Sequence, residues 1–182
     1  MDDSIDRIRE ALARGELSLE TLTARTIAAC LGKTTSVLYH HWGSLDGFLY
    51  AVAQSGFVAL AAEIVGRPPQ DAAERYIRFA VAQPALYALM FHRSWDWAAL
   101  REGRDLRASP GFALWSGAVA ELARRGSPDP ETDARALYGG LHGLASLAIT
   151  GRANVGQLDQ TDVDAAIRAA RRLVDLLTPE SP

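Results

Sequence analysis

Residues 22–42 read Leu-Thr-Ala-Arg-Thr-Ile-Ala-Ala-Cys-Leu-Gly-Lys-Thr-Thr-Ser-Val-Leu-Tyr-His-His-Trp. Ala24, Ile27, Ala28 and Leu31 recur at i, i+3, i+4 and i+7, which puts them on one helical face. Thr23 is a good N-cap for that helix and Gly32 a good stop, since glycine takes the positive φ of a sharp turn. Thr34 can cap a second short helix from Thr35 to about His41. In it Leu38 and Trp42 share the inward face, leaving Thr35, Ser36, Val37, Tyr39 and His40 pointing elsewhere. Two short helices joined by a glycine turn are the plan of a helix-turn-helix. Its second helix enters the DNA major groove while the first crosses the backbone. Thr and Ser hydroxyls can bond base edges, and a Val methyl can touch a thymine methyl. Tyr39, His41 and Lys33 can hydrogen-bond phosphates, which fix register.

Outward from this stretch, helical periodicity dominates and strand signals are nearly absent. Ile5, Ile8 and Leu12 mark a first helix over 4–14, and Ser18–Leu22 reads as its irregular exit. Beyond Gly43-Ser44 a longer helix runs from Leu45 to about Val65, and Gly66-Arg67-Pro68-Pro69 is the clearest break. Further helices are expected over Asp71–Ala82 and Pro84–Phe91. Residues 92–108 lack a firm pattern and look like a flap rich in Trp and Arg. Ser109-Pro110 and Asp129-Pro130 each read as N-cap plus N1, opening helices to about Arg125 and Thr150. A polar connection over 151–160 precedes a last helix, capped by Thr161 and running to about Leu177 before Thr178-Pro179. The expected fold is all-α with about nine helices. A three-helix helix-turn-helix domain over 1–44 precedes a helical ligand-binding and dimerisation domain over 45–182.

Composition sets limits. The chain has 182 residues, 48 % hydrophobic and 23 % charged, as in ordinary soluble domains. No run approaches the roughly 18–20 uncharged apolar residues of a membrane span. The acidic start, Met1-Asp2-Asp3-Ser4, has no apolar stretch after it, so no secretory signal and a cytoplasmic location are expected. Cys30 is the one cysteine, which excludes an internal disulfide and a cysteine-rich zinc site. Four histidines and scattered acids show no metal spacing, nucleophile elbow or phosphate loop, so no enzyme, metal or cofactor is expected. The net charge is −3, and residues 1–50 hold five basic against seven acidic side chains. A DNA reader usually has a basic footprint. Any positive surface must therefore be local, with the acids turned away. The competing reading is a helical ligand-binding or interaction module that does not touch DNA.

The order Leu22-Thr23-Ala24-Arg25-Thr26-Ile27-Ala28, Leu31-Gly32, Leu38-Tyr39-His40-His41-Trp42 and Phe48-Leu49 resembles the N-terminal domain of the tetracycline-repressor (TetR) family. The resemblance implies a homodimer on a palindromic operator in double-stranded DNA, usually a repressor released by a small ligand. It puts Thr23 and Arg25 against the backbone, Thr35, Ser36, Val37 and His40 at the bases, and Tyr39 and His41 on phosphates. With Lys33 and Thr34 these make the expected DNA-binding set. Two positions depart from the family pattern. Leu45 stands where a lysine is common, and Lys33 where an apolar residue is usual. Lys33 is thus the candidate to take over a missing phosphate contact.

Later stretches, Gln83–Phe91 and Ala136–Gly143, resemble one type of TetR C-terminal domain. Aromatic residues cluster from 76 to 115, and apolar pockets carry a few placed polar groups. Phe79, Tyr87, Phe91, Trp95, Trp97, Trp115 and His142 are the candidate ligand-binding residues. The last two long helices suit a dimer interface, a four-helix bundle with two helices from each subunit. One face carries Leu137, Leu141, Leu144, Ala145 and Leu147, with Gly139, Gly140 and Gly143 allowing close approach. The other carries Ile167, Ala170, Leu173, Val174 and Leu177.

Overall fold

The computed structural model describes residues 3–101, 105–155 and 161–177. These fold into ten α-helices and two single turns of 3₁₀ helix, with no strand among them. The helices are α1 (Asp3–Ala13), α2 (Ala24–Leu31), α3 (Thr35–Trp42), α4 (Leu45–Ile64), α5 (Pro69–Ala82), α6 (Pro84–Phe91), α7 (Trp97–Arg101), α8 (Pro110–Arg124), α9 (Pro130–Ile149) and α10 (Asp162–Leu177). The all-α expectation holds. The tenth helix is α7, which lies in the stretch without a firm pattern, as does a 3₁₀ turn at Leu106–Ala108. Helix α5 starts at Pro69, two residues before the expected Asp71, because proline suits a first-turn position. The connection at 156–160 and the Thr178-Pro179 stop lie outside the described residues.

Two compact units are built from this chain. One comprises residues 1–59 and 83–112, the other 60–82 and 113–182. In the first, α1 packs on α2 and α6, and α2 packs on α3. Ile8, Leu12, Ile27, Phe48 and Leu49 are fully buried there. Gly56 lets α4 approach α6 closely, since a Cβ there would lie 2.7 Å from Met90 Sδ and 3.2 Å from Leu86 Cδ1. Phe57 sets its ring edge-on to Phe91 at 5.2 Å, and the fully buried Tyr87 lies 4.5 Å from Phe91.

In the second unit α5, α9 and α10 pack against one another. Ala166, Ile167, Ala170 and Val174 of α10 are buried in that packing. Leu173 reaches Gly140 of α9, where any Cβ would collide with its Cδ2. Most of the α10 face read from the sequence as an interface is therefore used within its own unit. On α9, Ala134, Ala145 and Ala148 turn inward, while Tyr138 and Leu147 remain 48 % and 43 % exposed.

Helix α4 is long and apolar enough, by length and composition, to cross a membrane. This corrects the expectation that no run comes near that limit, because the charges of the helix, Asp46 and Glu63, sit at its two ends. In the fold, Phe48, Leu49 and Val52 have no exposed surface, so α4 serves as a core helix.

Candidate nucleic-acid interface

The turn at the centre of the motif forms as its residues dictate. Thr23 and Thr26 cap α2 reciprocally. Thr26 N–H donates to Thr23 Oγ1 at 3.2 Å, and Thr23 N–H donates to Thr26 Oγ1 at 3.0 Å. Two of the donors a helix start leaves unpaired are thereby satisfied. Gly32 ends α2 in the left-handed region at φ 65°, where its N–H meets the carbonyls of the last turn. Thr34 has the extended backbone of an N-cap, but its side chain makes no capping bond to α3. Arg7 of α1 donates to the carbonyl of Cys30 at 3.0 Å, satisfying one of the last acceptors of α2. Leu38 is buried, and Trp42 stands edge-on to Phe48 at 5.4 Å.

The inward placement of Leu38 turns the rest of α3 outward. Thr35, Ser36, Tyr39, His40 and His41 are exposed, and Val37 is half-buried. Thr23, Arg25, Lys33 and Thr34 are exposed on the preceding segment. The structure thus brings together in one unit all ten residues of the expected DNA-binding set.

Charge is distributed in a way that net charge conceals. No Asp or Glu occurs between Thr21 and Leu45, whereas Arg25 and Lys33 do. Neither is in an ion pair among the described residues. Several neighbouring acids are occupied. Asp6 meets Arg9 at 3.4 Å, Glu16 meets Arg14 at 2.7 Å, and Asp46 meets Arg93 at 2.6 Å. Glu20 accepts from Ser18 Oγ, which holds its carboxyl below the usual range. Lys33 Nζ donates to Ser4 Oγ of α1 at 3.0 Å, a tether that the motif's own sequence could not reveal.

The candidate ligand-binding residues fall in both units. Tyr87, Phe91, Trp95 and Trp97 are in the first. There Tyr50, missed from the sequence, sets its ring edge-on to Trp95 at 5.7 Å and to Trp97 at 6.4 Å. Arg93 lies over the Trp95 ring at 5.3 Å. Only proximity in space could have linked Tyr50 to residues some 45 positions further along the chain. Phe79, Trp115 and His142 are in the second unit. Phe79 is buried, Trp115 is covered by Arg135 at 5.4 Å, and His142 stacks on Tyr138. Burial raises the pKa of the Tyr138 hydroxyl above the usual phenolic value.

Residues 70–177 match the model of the tetracyclin repressor-like C-terminal domain. No curated protein matches the sequence. Among solved structures, the chain is similar to a TetR family transcriptional regulator, PfmR from Thermus thermophilus, with a TM-score of 0.52 and 18 % identity over 100 % of both chains.

Proposed function

Since the chain belongs to the tetracyclin repressor-like (TetR) family, whose C-terminal domain model covers more than half of it, we propose that it is a DNA-binding transcriptional regulator acting as a homodimeric repressor in the cytoplasm. Residues 1–44 read the DNA, and residues 45–182 carry ligand binding and dimerisation. The observation that carries the reading is the exposed α3, set beyond a left-handed Gly32 in a stretch free of acidic side chains. Thr35, Ser36, Val37 and His40 meet bases in the major groove. Thr23, Arg25, Lys33, Thr34, Tyr39 and His41 hold the backbone. A palindromic operator follows from two-fold symmetry of the dimer.

The dimer forms through α9 and α10, where Tyr138, Leu147 and Leu176 are exposed apolar surface. A small, largely apolar effector releases the DNA; its candidate contacts are Tyr87, Phe91, Trp95 and Trp97 of the first unit and, separately, Phe79, Trp115 and His142 of the second. Selection of bound sequences from random double-stranded DNA, repeated with candidate effectors, tests the whole reading. A palindromic consensus lost on adding an effector is the expected result. Recovery of no consensus returns the chain to the class of helical ligand-binding or interaction modules.

A further inference from the structure

A crevice of about 170 Å³ opens among α1, α2, α3 and α4 of the first unit. Leu31, Leu38, Trp42 and Phe48 line it, and three of them are buried, so its floor is apolar. Ser4, Lys33 and His41 also line it, and Lys33 and His41 are exposed, so its mouth is polar. The Lys33 ammonium donates to the neutral Ser4 hydroxyl and has no carboxylate partner among the described residues. Its charge therefore stands outside any ion pair of the described residues, at the edge of an apolar floor. Thr34, also in the lining, leaves the N-terminal N–H groups of α3 without a side-chain cap. A helix start of this kind carries partial positive charge.

We propose that this crevice binds a small aromatic monocarboxylate. The carboxylate sits on Lys33 and Ser4, and the ring sits on Leu31, Leu38, Trp42 and Phe48. Size fits, because an apolar cavity of roughly 150 Å³ holds a benzene ring. A bare phosphate would leave the apolar floor unfilled, and a neutral ring would bring the ammonium no counter-charge. The consequence for DNA rests on the reading above. Lys33 and His41 are assigned to phosphates, so a carboxylate on Lys33 competes with the DNA backbone.

Calorimetric titration of the full, DNA-free chain with benzoate, benzamide and inorganic phosphate tests the site. Benzoate is expected to saturate one site per chain, at least ten-fold tighter than either comparison compound. Lys33→Met is expected to weaken benzoate ten-fold or more while the chain still melts in one cooperative transition. Ser4→Ala is expected to weaken it by a smaller factor. Unsaturable benzoate, affinity equal to that of benzamide, or indifference to Lys33→Met overturns the site. Phosphate binding as tightly as benzoate replaces it with a plain anion cradle and overturns the aromatic ligand. Band shifts with and without saturating benzoate separate the two readings. Absence of any shift without benzoate sinks the DNA reading and leaves the titration to decide the site. A shift that benzoate leaves unchanged sinks the competition.

Discussion

Arg93 and Asp46 join the segment after α6 to the first turn of α4. Arg93 Nη2 donates to Asp46 Oδ1 at 2.6 Å, and the two side chains are 22 % and 37 % exposed. Partial burial makes such a pair worth more than a solvent-exposed one, whose typical value is under about 1 kcal/mol. Arg93→Ala should lower the stability of the chain by about 1 kcal/mol, read as a fall in the urea midpoint at unchanged slope. Glu131→Gln, which breaks the far more exposed Arg135–Glu131 pair, should shift the midpoint far less. Equal shifts would refute the ranking.

The groove assignment divides its residues into two kinds. His40→Ala and Val37→Ala should change which sequences are bound. Lys33→Ala should weaken binding to all DNA alike and reduce the salt slope by about 1. Band shifts over a salt series, on selected and scrambled DNA, measure both. If all three variants bind like the parent, α3 is not in the groove.

Three glycines of α9 differ in what surrounds them. A Cβ on Gly139 or Gly143 meets nothing within 4 Å, while one on Gly140 collides with Leu173. Gly→Ala inside a helix gains about 0.8–1 kcal/mol in propensity. Gly139→Ala and Gly143→Ala should therefore stabilise the isolated chain, and Gly140→Ala should destabilise it despite the same gain. If α9 meets a second copy closely, the first two should also weaken the dimer. Thermal melts together with sedimentation at several concentrations read both effects. A dimer indifferent to Gly139→Ala and Gly143→Ala would place the interface elsewhere.

Glu74 carries a pH signature. Hydrogen bonds from Arg78 at 2.8 Å and from Arg171 at 2.6 Å hold its carboxyl below the usual glutamate range. A carboxyl depressed in the folded state adds stability above its unfolded pKa and loses it as pH falls through the folded value. Glu74→Gln should cost about 0.5–1 kcal/mol at neutral pH. The gap to the parent should close in acid. A gap that stays constant in urea titrations from neutral pH down to about pH 3, below the ordinary glutamate pKa, would show that the carboxylate charge is not the cause.

The start of α2 rests on Thr23. Removing an N-cap hydroxyl typically costs about 1 kcal/mol. Thr23→Ala should therefore lower the melting temperature, while Thr34→Ala, which loses no capping bond, should not. The reverse order in thermal melts would contradict the capping geometry.

Local chemistry explains which elements were legible in the sequence. The caps at Thr23, Ser109, Asp129 and Thr161 form the bonds their side chains imply, because each joins residues three positions apart. Thr34 has the right backbone and no capping bond, so residue type alone overstates it. Helix α7 was not legible, since five residues, Trp97–Arg101, are too few to show a period. The exposed face of α3 was legible from Leu38 and Trp42. Its surroundings were not, because Lys33–Ser4 and Arg93–Asp46 join positions 29 and 47 apart. The α10 face reads as free in the sequence for the same reason. An apolar stripe looks identical whether its partner is in the same chain or another.

The acid-free stretch from Thr21 to Leu45 lies in a chain whose net charge is −3. Over that stretch the formal charge, from Arg25 and Lys33, is opposite in sign to that of the chain as a whole. Near a polyanion the mean charge repels and a local basic stretch attracts, so orientation matters as well as distance. If α3 reads DNA as proposed, approach with that stretch leading is the favoured one. An overall acidic balance then weakens non-specific attachment of the rest of the chain to DNA. On the proposed reading, the surplus of acids, which at first argues against a DNA reader, would act as an orientation filter for one.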